Sequence, residues 1–148
     1  NDALDLSVFI MDNLGLDTTA TSLQMYASAD LLAFQNKYDQ AFKQLDKLLA
    51  QFPDHSLQDD VLYTKAKAYR KLRKYQQVEA MYQKIIEKYP EDIRADNALF
   101  ELAELYEHVL NRPEEAQKLY EQLFIEYSGS TFAVEARKRY RRLRGDNI

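Results

Sequence analysis

The feature that most constrains this chain is an internal repeat with a step of 37 residues. Three segments align: residues 38–53 (YDQAFKQLDKLLAQFP), 75–90 (YQQVEAMYQKIIEKYP) and 113–128 (PEEAQKLYEQLFIEYS), with steps of 37 and then 38 residues. In each segment apolar residues recur at i, i+4, i+7 and i+11, which is one face of an α-helix. A fixed step of this length is typical of repeat architectures, in which each unit stacks on its neighbours.

A second helix is predicted before each of these segments, because small and apolar residues recur there with the same step of 37. The recurring positions are Ala29, Ala66 and Ala103, then Leu32, Tyr69 and Tyr106, then Met25, Leu62 and Leu99. The short connections within the pairs are Asn36-Lys37, Arg73-Lys74 and Asn111-Arg112. Each unit is therefore predicted to be a helical hairpin, in which the small residues let the helices approach closely.

Composition supports an all-α chain. Hydrophobic residues make up 46% of the sequence and charged residues 30%, with 11 Tyr and 7 Phe to build a core. These values are typical of a folded protein rather than a disordered one. Only 3 Gly and 3 Pro are present, too few for a sandwich or barrel made of many short strands and tight turns.

The repeat also predicts how the chain is divided. The predicted parts are an unpaired second helix at 1–15, repeats at 22–55, 59–92 and 96–128, and a capping helix at 130–144. The first part is assigned because Ala3, Ile10 and Leu14 lie 38 residues before Ala41, Leu48 and Phe52. Since the sequence begins at Asn1 inside an amphipathic stretch, we expect it to be the C-terminal piece of a longer protein.

These residues resemble the tetratricopeptide repeat family. Its pattern of small and aromatic positions with a closing Pro is met in repeat 2 by Ala66, Tyr69, Tyr75, Val78, Tyr82 and Pro90. Departures are Val78 for the usual Ala, Leu45 for an aromatic residue, and Ser128 for Pro. The step exceeds the family's usual length of about 34 residues. In that respect the repeats are similar to those of bacterial envelope-associated tetratricopeptide proteins, which implies a periplasmic or envelope location in preference to the cytoplasm.

The resemblance implies an α–α superhelix of antiparallel hairpins, with the first helix of each hairpin on a concave wall. One row of that wall is Tyr26, Tyr63 and Phe100, and the row one turn on is Asp30, Lys67 and Glu104. Further along these first helices, the same wall is expected to include Arg70, and then Lys71 and His108. The resemblance thus implies a protein-binding groove at these nine positions.

Charge along the chain indicates which ligand such a groove would bind. Residues 59–92 carry eight basic and six acidic side chains, whereas residues 1–58 and 93–130 each carry three basic and eight acidic ones. Repeat 2 is therefore a basic band. The first hypothesis is that Tyr63, Lys67, Arg70 and Lys71 bind an extended or helical acidic peptide, with Tyr26 and Phe100 adding apolar contact.

Two alternatives stay open at the level of sequence. Equivalent positions of neighbouring first helices are about 8–10 Å apart, so Lys67 could pair with Asp30 and Glu104, and Arg70 with Glu107, as a structural ladder. The chain could also serve as a structural spacer or self-assembly module with no peptide ligand. In that case its N-terminal face, at residues 1–20, would pair with a second copy as a dimer.

Other functions find little support. The chain has no Cys, and neither His55 nor His108 has a second His at helical spacing, so no metal site is expected. No cofactor is expected either, because the three glycines form no phosphate-binding loop. The sequence therefore predicts a protein that is not an enzyme. No apolar run reaches the roughly 20 residues that would insert in a membrane. Residues 137–144 hold six cations, but the chain's net charge is −4 and cations favour a helix C-terminus, so nucleic acid is not an expected partner.

Overall fold

Helices form all the regular structure of the residues described by the computed structural model, which are 17–53 and 56–146. Within these ranges there are seven α-helices and no strand, which confirms the all-α prediction. In chain order they are α1 (Asp17–Phe34), α2 (Tyr38–Gln51), α3 (Gln58–Lys71), α4 (Tyr75–Lys88), α5 (Ala95–His108), α6 (Pro113–Glu126) and α7 (Ala133–Arg144).

The second helices of the hairpins, α2, α4 and α6, each bury the face that the repeat pattern indicates. The buried positions are Ala41, Leu45 and Leu48, then Val78, Tyr82 and Ile85, then Ala116, Tyr120 and Leu123, none of them more than 1% exposed. The last apolar position of the repeat, Phe52, Tyr89 or Tyr127, directly follows the end of each helix. The N–H group of each of these residues donates to the carbonyl four residues earlier. Pro53 and Pro90 come next and prevent continuation of the helix.

The connection between the first and second helix of each repeat contains one residue in the left-handed region. Asn36, Arg73 and Asn111 have φ angles of 63°, 59° and 53°. Asn tolerates this conformation because its short polar side chain can bond locally, whereas Arg has no such advantage. At the first turn the Lys37 N–H donates to the Leu32 carbonyl at 2.8 Å, which closes the end of α1. The repeat therefore fixes backbone geometry at these connections.

The structure divides between Arg73 and Lys74 into two compact units, of which the first contains α1, α2 and α3. In this unit α1 packs along α2, and α3 contacts both. Its core includes Leu23, Tyr26, Ala29, Leu45, Leu48, Leu57 and Val61. The rings of Phe42 and Tyr69 stack at 4.6 Å between α2 and α3.

The second unit contains α4 to α7, and each helix packs on the next. Tyrosine hydroxyls link the helices across this core. Tyr82 donates to Glu101 at 2.6 Å, and Tyr120 donates to Glu107 at 2.9 Å while it accepts from Arg139 at 3.2 Å. Together these bonds tie α4 to α5, and α6 to both α5 and α7.

Helix α7 begins three residues later than the sequence indicates. Residues 130–132 form a turn, in which the Ser130 N–H donates to the Tyr127 carbonyl and the Ala133 N–H donates to the Ser130 carbonyl. Asp92 and Ala95 make the same two bonds before α5, so α5 and α7 are related by a step of 38 residues. The unpaired helix expected at residues 1–15 lies outside the described residues.

The small residues give a first prediction. Ala103 is fully buried, so we expect Ala103→Phe to lower the free energy of unfolding by about 1–3 kcal/mol through overpacking. Ala50→Phe, at an exposed position of α2, is the control and should change it little. Urea denaturation followed by circular dichroism measures both, and equal midpoints would contradict the packing described.

The hairpin turns give a second prediction. We expect Arg73→Asn to raise the free energy of unfolding by up to about 1 kcal/mol, because Asn adopts a left-handed conformation at lower cost than Arg. The reciprocal change, Asn111→Arg, should lower it by a similar amount. Thermal melts of both variants test this, and a lower melting temperature for Arg73→Asn would argue against it.

Candidate functional site

The three aromatic residues of the predicted wall are mostly covered. Tyr26, Tyr63 and Phe100 are 8%, 7% and 8% exposed. The Tyr26 hydroxyl and the Thr64 hydroxyl are hydrogen-bonded at 2.9 Å, and Phe100 stacks on Phe132 at 4.8 Å. These rings therefore pack mainly between helices. Their contact with a ligand stays a prediction.

Three of the predicted groove residues meet at one cleft in the first unit. It has a volume of about 330 Å³ between the C-terminal halves of α1 and α3. The predicted residues there are Asp30, Lys67 and Lys71. The other residues around it are Ala33, Phe34, Asn36, Tyr38, Thr64 and Ala68. Arg70 is exposed on α3 but does not line this cleft. We call this site the α1–α3 cleft.

The cleft combines an apolar side chain with positive charge. Phe34 is 81% exposed, which is unusual for a side chain of its size and polarity. The exposed ammonium of Lys67 lies 5.4 Å from the centre of the Tyr63 ring, and Lys71 occupies the last turn of α3. There the negative end of the helix dipole favours its charge.

The turn after α1 supplies polar groups that the sequence did not indicate. The Tyr38 hydroxyl donates to the Asn36 side-chain carbonyl at 2.8 Å, beside the left-handed residue of the turn. Thr64, only 5% exposed, lies on the inner side of α3. The regular spacing of the predicted wall positions could not reveal these residues. Asn36 and Tyr38 lie at the turn after α1, and Thr64 lies on α3 beside the predicted positions.

The predicted residues of repeat 3 are engaged with α7. Glu104 accepts from Arg139 at 2.8 Å, and Glu107 accepts from Arg142. Both glutamates named in the ladder alternative thus pair with arginines of α7. The ladder pairs themselves, which involve Lys67 and Arg70, stay a prediction. His108 is exposed on α5, with its Nε2 atom 3.4 Å from a carboxylate oxygen of Glu107.

Electrostatics in this unit stabilise the charged form of Glu107. Burial raises the pKa of this carboxyl, but hydrogen bonds from Tyr120 and Arg142 outweigh burial and hold the pKa below its ordinary value of 4.5. The pKa of Tyr120 is raised, first by its burial and also by the adjacent carboxylate, although Arg139 opposes the shift. The group is a packed polar network rather than an open binding site.

The described residues offer no metal site, since no three His, Asp or Glu side chains among them are grouped to hold an ion. His55 lies outside the described residues. None of the helices in the described part of the chain is long and apolar enough to cross a bilayer.

The Glu107 network predicts a pH effect. Because its pKa is lowered on folding, the stabilisation is present above pH 4.5 and is lost as pH falls through the folded value. We expect Glu107→Gln to lose less stability than the wild type between about pH 6 and about pH 3. Glu87→Gln, an exposed position on α4, is the control and should follow the wild type. Urea denaturation across this range decides it, and identical pH profiles for the Glu107→Gln and wild-type chains would contradict the assignment.

Comparison with known proteins supports what the geometry indicates. One tetratricopeptide repeat model matches residues 32–99, and a second tetratricopeptide repeat model matches residues 97–130. A search of curated proteins found no match to this chain. The matched span runs from the end of α1 to the turn before α7, so it includes all three left-handed residues described above, Asn36, Arg73 and Asn111. On the hairpin geometry and these two matches, the chain belongs to the tetratricopeptide repeat family.

Proposed function

We propose that this chain is a non-catalytic protein-interaction scaffold whose α1–α3 cleft binds an acidic peptide segment of a partner protein. Tetratricopeptide repeats are generally scaffolds for protein interaction. The observation that carries the finer proposal is that Phe34, Lys67 and Lys71 surround one preformed opening.

The apolar part of the affinity would come from Phe34. Because this ring is 81% exposed in the free chain, a ligand side chain that covers it removes a large apolar area from water. Burial of a Phe side chain contributes about 1.5–3 kcal/mol. Ala33 and Ala68 also line the cleft, and their small side chains leave room for a ligand side chain.

The charged part would select an acidic ligand. Lys67 and Lys71 are one helical turn apart on the same face of α3, and both are exposed. Two cations at this spacing favour carboxylates and raise the rate of encounter, with a strength that falls as salt is added. Asp30 on α1 lies opposite them, so a ligand would place its acidic residues toward α3 and its apolar residues toward α1.

Peptide selection followed by binding measurements tests this proposal. We expect peptides enriched from a random display library on the intact chain to combine Asp or Glu with an aromatic or aliphatic residue. For such a peptide, Lys67→Glu with Lys71→Glu should weaken binding about tenfold or more, measured by fluorescence anisotropy. Addition of salt to the wild type should also weaken it.

The matched control is Lys43→Glu with Lys47→Glu, which reverses two exposed lysines at the same spacing on α2. Its affinity should stay near that of the wild type, and melts should show both double variants folded. Equal loss in the two variants would mean that only net charge matters. Enrichment of basic peptides would contradict the acidic ligand. No enrichment together with dimerisation through residues 1–20 would favour the spacer or self-assembly alternative.

A further inference from the structure

A second cleft lies between α6 and α7, and all of its residues belong to the second unit. Its volume is about 320 Å³. The residues that line it are Glu121, Phe124 and Ile125 from α6, with Arg137, Tyr140, Arg141 and Arg144 from α7. None of these residues takes part in the α1–α3 cleft. We call this site the α6–α7 cleft.

The equivalent residues of the preceding repeat show what covers this face of a first helix. With the step of 38 that relates α5 to α7, the arginines and tyrosine of the cleft correspond to Leu99, Leu102, Ala103 and Tyr106 of α5. Those four residues are at most 3% exposed, because α5 contacts α4 before it and α6 after it. In the described part of the chain no helix follows α7. The α6–α7 cleft is therefore the place that the next second helix would occupy.

The α6–α7 cleft contains apolar side chains as well as charged ones, so it differs from a purely polar end surface. The rings of Phe124 and Tyr140 meet edge to face at 5.3 Å, and Ile125 beside them is 62% exposed. The guanidinium of Arg137 lies 5.2 Å from the centre of the Phe124 ring. An end surface that served solubility alone would not need exposed apolar groups between its charges.

Two of the three arginines are available for a ligand. Arg144 is held by Asp146 and lies 5.2 Å from the centre of the Tyr140 ring. Arg137 and Arg141 are both exposed, and neither forms an ion pair with any residue that the structure describes. They are one helical turn apart, a spacing that matches carboxylates at i and i+4 of a helix.

We propose that the α6–α7 cleft binds an acidic amphipathic helix of a partner protein, in the position of a second helix that follows α7. The apolar face of that helix would cover Phe124, Ile125 and Tyr140, and its acidic residues would pair with Arg137 and Arg141. Arg guanidinium groups bind carboxylates through paired hydrogen bonds and keep their contact with aromatic rings.

Charge and shape together favour a helix over nucleic acid. Binding to phosphates would use the cations but would leave Ile125 and Phe124 uncovered. A helix-in-groove contact uses an apolar stripe flanked by charge, which is the arrangement present here.

The probe is a synthetic, capped, fluorescein-labelled peptide with the sequence of Pro113–Glu126. It is an acidic helix from this same repeat series and carries the apolar face of a second helix. We expect saturable binding to the intact chain by fluorescence anisotropy, together with a gain of peptide helicity by circular dichroism. The same peptide with every Glu replaced by Lys should bind about tenfold more weakly or not at all.

Two variants of the protein identify the surface. Arg137→Glu with Arg141→Glu should weaken peptide binding about tenfold, whereas Lys84→Glu with Lys88→Glu, at the same spacing on the exposed face of α4, should change it less than about twofold. Ile125→Ser tests the apolar contact without disturbing the core, and we expect at least a threefold loss, on the order of 0.7 kcal/mol. Its control is Ile93→Ser, at an 81% exposed position outside the cleft.

Several outcomes would overturn the proposal. Absence of peptide binding would leave α7 as a solubility cap only, and equal binding by the wild type and the arginine variant would place the peptide elsewhere. Displacement of the peptide by duplex DNA at equal concentration would assign the cleft to polyanions. Sedimentation that shows the free chain dimerising through Arg137 and Arg141 would assign it to a second copy. The Lys67 and Lys71 variants should leave peptide binding at this cleft unchanged, so this test and that of the α1–α3 cleft fail independently.

Discussion

A single helix of this repeat cannot bury its own apolar face. The rest of the structure depends on the helices before and after it in the chain, which cover that face. Ala103 and Leu102 on α5 are at most 1% exposed, because α4 and α6 lie close to α5 on both sides. Small side chains set those distances. Once the helices are this close, polar groups of successive helices come within bonding range, as the 2.6 Å contact between Tyr82 and Glu101 shows.

The sequence predicts the buried face of each second helix well, because one periodic pattern and one burial pattern coincide there. It predicts exposure on the first helices poorly. Whether Tyr26 is open depends on a residue of another helix, Thr64, which hydrogen-bonds to it, and for Phe100 the covering ring belongs to Phe132 in the turn before α7. The partner of Glu104 was also missed, since it depends on where α7 begins and on the reach of an Arg side chain.

The two clefts show how one architecture produces surfaces of different chemistry. In the α1–α3 cleft the cations are lysines, which act as mobile point charges beside an exposed ring. In the α6–α7 cleft they are arginines, of which Arg137 lies against Phe124 and Arg144 against Tyr140, so the planar groups of these two are oriented before a ligand arrives. If both proposals hold, the first arrangement would tolerate varied acidic sequences, whereas the second would favour carboxylates at a defined spacing.

The tyrosines of the second unit also give this protein a built-in optical reporter. Burial, aided by Glu79, raises the pKa of Tyr106 to about 12, and the pKa of Tyr120 is raised further by its own burial. Since the unfolded value is 10.0, both phenols stabilise the fold below that pH and lose this contribution as pH rises through the folded values. With 11 Tyr and no Trp in the chain, tyrosinate absorbance in alkaline solution separates phenols on the surface from those of Tyr106 and Tyr120, which ionise at higher pH because they are buried.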